Sequence, residues 1–163
     1  VSAVPAGFRT TASGYAIDLD RREAEVLVSL ASDSGRLITA NPEFVSLLTP
    51  DAYPDDPDAS DEFARYTSDD LGRARVAELA LLQAAPLDGG DFLVTAAEAD
   101  DVLRGLGFLR LLLSDSAGEP DAESPEDSSA DESRPMRSAV SQWLAWLQES
   151  LIAALDGGAA ADE

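Results

Sequence analysis

The sequence predicts a mainly all-α protein: a single-domain bundle of about five helices with a small β-hairpin at its N-terminus. Three observations point there. Apolar residues recur three and four apart through most of the chain, the repeat of a helix with one buried face. Side chains able to cap a helix, Asp20 with Glu23 and Thr95 with Glu98, stand three apart just ahead of such runs. A chain of 163 residues is also long enough for one sizeable core, which makes 1–163 one domain.

In order along the chain, residues 8–19 read as two short extended pieces around Ser13 and Gly14, with Tyr15, Ile17 and Leu19 alternating against Ala16 and Asp18. Asp20 and Glu23 then open a helix over about residues 21–32, with a continuation toward Ile38 open, against which Gly35 argues for a break or a kink. Asn41 and Pro42 start a short helix over 42–48, because proline suits the first helical position, and Thr49 and Pro50 end it. Residues 51–57, rich in Pro and Asp, form a turn carrying Tyr53. A short helix over 59–66 follows, with Phe63 and Tyr66 on one face. Thr67 and Asp70 mark the start of a longer helix that runs to Pro86.

Residues 87–94 read as a loop with room for one short strand, and Thr95 and Glu98 open a helix to about Leu113. From Val102 onward this helix is apolar all round except for Arg104 and Arg110, which places it at the centre of the bundle. Gly105 and Gly107 cost helix propensity and imply a closely approaching neighbour. Residues 114–134 are Ser, Pro, Glu and Asp with almost nothing apolar, a disordered acidic loop by composition. Residues 136–155 form an amphipathic helix carrying Val140, Trp143, Leu144, Leu147 and Leu151, with Gly157 and Gly158 as its stop and 158–163 as a frayed tail.

Composition narrows the chemistry. The net charge is −21, every basic residue is arginine, and the chain holds neither histidine nor cysteine. This excludes a Ser-His dyad, a thiolate nucleophile, a Cys/His zinc site, a P-loop lysine and a Schiff base. Acid and base work would fall to Asp, Glu or Tyr, or to a carboxylate-bound hard cation. The balance leans away from an enzyme, and no cofactor is implied. The absence of disulfides, of a leader-like N-terminus and of a long apolar run suggests a cytoplasmic protein without a membrane partner. Strong negative charge repels nucleic acid and attracts a basic protein.

The densest carboxylates are Asp51, Asp55, Asp56, Asp58, Asp61 and Glu62, with Asp69 and Asp70 beyond. They lack the glycine of a calcium loop, so a solvated, helix-capping acidic turn outweighs a magnesium or manganese site built on Asp55, Asp56 and Glu62, with Arg65 holding an anionic substrate. Arg104 and Arg110 call for carboxylate partners, and Glu62, Asp70 and Glu149 are the candidates on other helices. Trp143 and Trp146 share neighbouring parts of one face, one for the core and the other, where exposed, an interface anchor. Ser124, Ser128, Ser129 and Ser133 are candidate phosphosites in the acidic loop. The last helix can complete the bundle or pair with its copy in a homodimer.

The run Ala52, Tyr53, Asp55, Asp56, then Glu62, Phe63, Arg65, Thr67, Asp70 and Leu71, with WLAWLQESLIAAL over 143–155, resembles the actinobacterial domain of unknown function 2017. FLRLLL over 108–113 is similar to that family's LNxxRLxLG segment, although its asparagine and the tryptophan ahead of it are replaced. The resemblance implies a helical, cytoplasmic protein without established activity. The family's genes commonly sit near that of the Clp protease adaptor, which implies a regulatory role. The leading expectation is therefore a non-enzymatic interaction protein, in which Tyr53, Asp55, Asp56, Glu62, Arg65, Trp143 and Trp146 carry the contacts. The carboxylate-metal enzyme is the alternative, and an acidic nucleic-acid mimic a minor one.

Overall fold

The computed structural model describes residues 6–41, 44, 53–115 and 128–161. It is mainly helical, with a small antiparallel sheet. The sheet holds β1 (Arg9–Thr11), β2 (Gly14–Leu19) and β3 (Gly90–Thr95) in the order β1-β2-β3. The described helices are α1 (Arg21–Ala40), α2 (Pro57–Leu82), α3 (Ala99–Asp115) and α4 (Ser128–Ala161).

The hairpin forms as its alternation suggests, and the loop after α2 supplies the third strand, with Phe92 opposite Ile17 and Leu93 opposite Ala16. Ile17, Leu19, Phe92 and Val94 enter the core. Across the other face Arg9 pairs with Asp91 at 2.6 Å, spanning β2 from one edge strand to the other, and Ala16 is fully buried. Gly14 has φ +154°, and a Cβ there would lie 2.2 Å from the carbonyl oxygen of Val94, so no larger residue fits.

Helix α1 opens on a reciprocal capping box: Glu23 N–H donates to Asp20 Oδ1 and Asp20 N–H to Glu23 Oε2, both at 2.8 Å. It then runs unbroken to Ala40, through Gly35, where a kink was expected. Glycine lowers helix propensity by only about 1 kcal/mol, and Ala31, Ser34 and Ile38 around it are buried, which outweighs that cost. Residues 42, 43 and 45–52, most of the expected short helix and the start of the acidic turn, lie outside the described residues.

Helix α2 corrects a second expectation. One helix replaces the two foreseen over 59–66 and 67–86, and Thr67 does not cap anything. Its Oγ1 donates back to the carbonyl of Phe63 at 2.8 Å, the bond a threonine makes inside a helix. The true start is Asp56, whose carboxylate accepts from Ala59 N–H at 3.1 Å, with Pro57 at the first helical position.

Helix α3 opens on the Thr95–Glu98 exchange, with Thr95 N–H on Glu98 Oε2 at 3.1 Å and Glu98 N–H on Thr95 Oγ1 at 3.3 Å. It packs against α2 and α4 with Val102, Leu106 and Leu109 fully buried. Both of its glycines lie at close approaches, as expected. A Cβ at Gly105 would stand 3.2 Å from Leu82 Cδ1 and 3.3 Å from the carbonyl of Glu78 on α2. One at Gly107 would stand 3.2 Å from Gln148 Nε2 on α4. That approach lets Gln148 donate to the carbonyl of Leu103 at 3.0 Å while accepting from Arg110 at 2.8 Å.

Helix α4 begins at Ser128, so residues 128–134 are helical where a loop over 114–134 was expected; 116–127 lie outside the described residues. Pro135 is exposed inside the helix, where it forgoes one backbone hydrogen bond. Gly157 and Gly158 do not stop the helix, and the expected frayed tail is helical through Ala161. Neither glycine takes the positive φ that a glycine cap requires. Leu144, Leu147 and Leu151 of α4 complete the core, each fully buried leucine contributing about 1.5–3 kcal/mol.

Candidate functional site

The segment richest in carboxylates is organised by backbone bonds around Ser60, which is buried at the start of α2. Its hydroxyl donates to the carbonyl of Tyr53 at 2.7 Å and accepts from Tyr53 N–H at 3.0 Å. Asp56 N–H donates to the same carbonyl at 3.1 Å. These bonds fold the turn onto the helix and bring the Tyr53 ring edge-to-face against Phe63, with centroids 6.1 Å apart and an interplanar angle of 86°. Tyr66, three residues beyond Phe63, falls on the same flank. The three rings form a ridge with Tyr53 50%, Phe63 47% and Tyr66 77% exposed.

Carboxylates border this ridge. Glu62 lies one turn before Tyr66 and Asp70 one turn after it, both exposed. Asp70 pairs with Arg73 at 3.2 Å, an exposed i,i+3 contact of little energetic weight. Asp55, Asp56 and Glu62 do not converge: Asp56 is engaged as the helix cap, and among the described residues no three acidic side chains group so as to hold a metal ion. Arg65 is exposed with no ion-pair partner among the described residues. It lies about 100° around the helix from Tyr66, as adjacent helical residues do.

Arg104 and Arg110 do not reach Glu62, Asp70 or Glu149. Both are exposed rather than buried, Arg104 on Asp101 one turn back at 2.6 Å and Arg110 on Gln148. The half-buried ion pair of the fold is instead Arg75 with Glu78, 2.5 Å apart, with the Arg75 guanidinium carbon 5.8 Å from the centre of the Phe108 ring. Apolar periodicity passes over this pair because both residues are charged; their i,i+3 spacing beside Leu79 and Leu82 is the one signal the sequence holds. Phe63 and Tyr66 were likewise legible as a shared face, but not as an exposed one.

Trp143 and Trp146 are both part-buried against the core, so neither stands out as an exposed anchor. The Nε1 of Trp143 is buried without a hydrogen-bond partner among the described residues. Its ring borders a groove of about 230 Å³ between the start of α1 and α4, lined also by Arg22, Glu23, Val26 and Val140.

The match to a protein family spans residues 5–155, nearly the whole chain, and that family is described as a domain of unknown function (DUF2017). The chain belongs to the DUF2017 family. No curated protein and no solved structure matches it. Among the described residues of this DUF2017 chain, no helix is long and apolar enough to cross a membrane.

Proposed function

We propose that the protein is a non-enzymatic interaction protein that works by protein–protein contact, with the Tyr53–Phe63–Tyr66 ridge of α2 as its docking surface. One observation carries this reading: three aromatic side chains of one short segment stand 47–77% in solvent, two of them packed edge-to-face. Aromatic side chains dominate interface hot spots because they bury large area at small entropic cost. The short list of reactive side chains in the sequence supports the same reading, since the remaining carboxylates on this segment act as cap and rim.

Site-specific photo-crosslinking in the native host tests it. A photoreactive phenylalanine at position 66 is expected to capture a partner that the same group at Leu87, an exposed position in the loop after α2, does not. That partner, purified, is expected to bind the wild-type chain and to lose at least about 30-fold in affinity with Tyr66→Ala, the loss of an interface hot spot. Identical crosslinks at both positions, or binding untouched by Tyr66→Ala, would overturn the proposal.

A further inference from the structure

We infer that the segment received by this ridge is cationic: a stretch of a protein partner carrying arginine or lysine on both sides of an apolar side chain. The inference rests on the docking role proposed above and adds the chemistry of the occupant.

Tyr66, the most exposed ring, lies between Glu62 and Asp70 on one flank of α2, with Phe63 beside it. At 1.5 Å of rise per residue, Glu62 and Asp70 are about 12 Å apart along the helix axis with the ring midway. Glu62 has no ion-pair partner among the described residues, and Asp70 has only its exposed contact with Arg73. Elsewhere Arg9, Arg21, Arg36, Arg75 and Arg104 each hold one of the chain's own carboxylates. Arg73 meets Asp70 at the far end of this flank, while Arg65 lies around the helix from the ring, so no arginine pairs with Glu62 among the described residues.

A guanidinium or ammonium approaching here meets two attractive elements at once, a carboxylate and the negative face of an aromatic ring. A phosphate or a carboxylate meets repulsion from the same groups and from a chain of net charge −21, so a polyanion is a poor occupant. The geometry fits a partner helix with two basic residues eight positions apart, about 12 Å, and an apolar side chain between them to lie on Tyr66 and Phe63.

The test is an NMR titration of the full chain at low salt with a helix-forming peptide bearing two arginines eight positions apart and leucine at the midpoint. A twin peptide has glutamine in place of both arginines. The expected result is shift changes concentrated over residues 53–73 with the arginine peptide. Its affinity falls tenfold or more in Tyr66→Ala and in Glu62→Gln/Asp70→Asn, and stays within twofold in Asp88→Asn/Asp156→Asn, which removes the same charge from distant exposed positions. Equal loss in the distant pair would reduce the effect to bulk attraction and overturn the inference. Equal binding of the glutamine peptide at the ridge would overturn the cationic occupant while leaving the docking surface standing. No shift at the ridge with either peptide would sink both.

Discussion

Removing either partner of the Arg75–Glu78 pair has unequal consequences. The Glu78 side chain is 7% exposed and that of Arg75 26%. Arg75→Ala strands the more buried charge, a carboxylate with little access to water, and the cost approaches the roughly 3–5 kcal/mol of a broken buried pair. Glu78→Ala removes one methylene, about 0.8 kcal/mol, and a charge-assisted hydrogen bond with a net value of about 1.5–3 kcal/mol. The stranded guanidinium is a quarter exposed and rehydrates, so about 3 kcal/mol is an upper expectation. Removing Glu78 in the Arg75→Ala background takes away the stranded charge, so the double variant is expected to be more stable than Arg75→Ala alone. Urea unfolding followed by far-UV circular dichroism measures this without adding ions that screen the pair. At a slope of about 2 kcal/mol/M, a loss of 3 kcal/mol lowers the midpoint by about 1.5 M. Single losses that simply add in the double variant, or a Glu78→Ala loss under about 0.5 kcal/mol, would refute the assignment of this pair as a coupled, half-buried contact.

Asp20→Ala removes one arm of the α1 capping box and is expected to lower stability by about 0.5–2 kcal/mol in the same urea assay, with Asp20→Asn recovering most of it. Trp143→Phe deletes a buried N–H that lacks a partner, so relief of a desolvation cost of about 1–3 kcal/mol offsets the lost ring area and the change stays within about 1 kcal/mol. Trp143→Ala, by contrast, is expected to cost roughly 3 kcal/mol. Raising ionic strength from about 0.01 to about 0.5 M shortens the screening length severalfold. For a chain of net charge −21 it is expected to raise the urea midpoint, through weaker self-repulsion in the compact state.

Where a local chemical cue had one meaning, the fold was legible in the sequence. Asp20 and Glu23 close as a capping box at the start of α1, and Thr95 and Glu98 exchange the same two bonds across the turn that leads into α3. Gly105 and Gly107 implied close neighbours, which are the backbone of α2 and the amide of Gln148. Cues with two meanings misled. Thr67 and Asp70 have the spacing of a helix start, yet a threonine hydroxyl serves equally to bond the carbonyl four residues back once the preceding turn is helical. Gly35, Gly157 and Gly158 stop a helix only where the backbone turns to positive φ, and packing rather than residue identity decides that. The apolar surroundings of Arg104 in the sequence point to carboxylates on other helices. Asp101, one turn away, was nearer in every rotation of the helix. Of the candidate site, Tyr53 and Glu62 keep a place on or beside the exposed ridge, whereas Asp55, Asp56 and Arg65 scatter, because helical phase separates residues that composition groups together.

The hydrogen bond from Phe8 N–H to Ser150 Oγ, at 3.4 Å, joins positions 142 apart in sequence, and α4 supplies the leucines that cover α3. During synthesis the apolar flank of α3 emerges from the ribosome ahead of its cover, whose contacts with it span 38 and 45 positions. Non-local contacts form after local ones, so docking of α4 is expected to come late in folding. Until then Leu106 and Leu109 present the kind of surface that chaperones hold, and a chain truncated ahead of Leu144 would keep that surface permanently. Loss of the last helix is therefore expected to lower the amount of the protein in a cell, because exposed core surface is cleared by proteolysis.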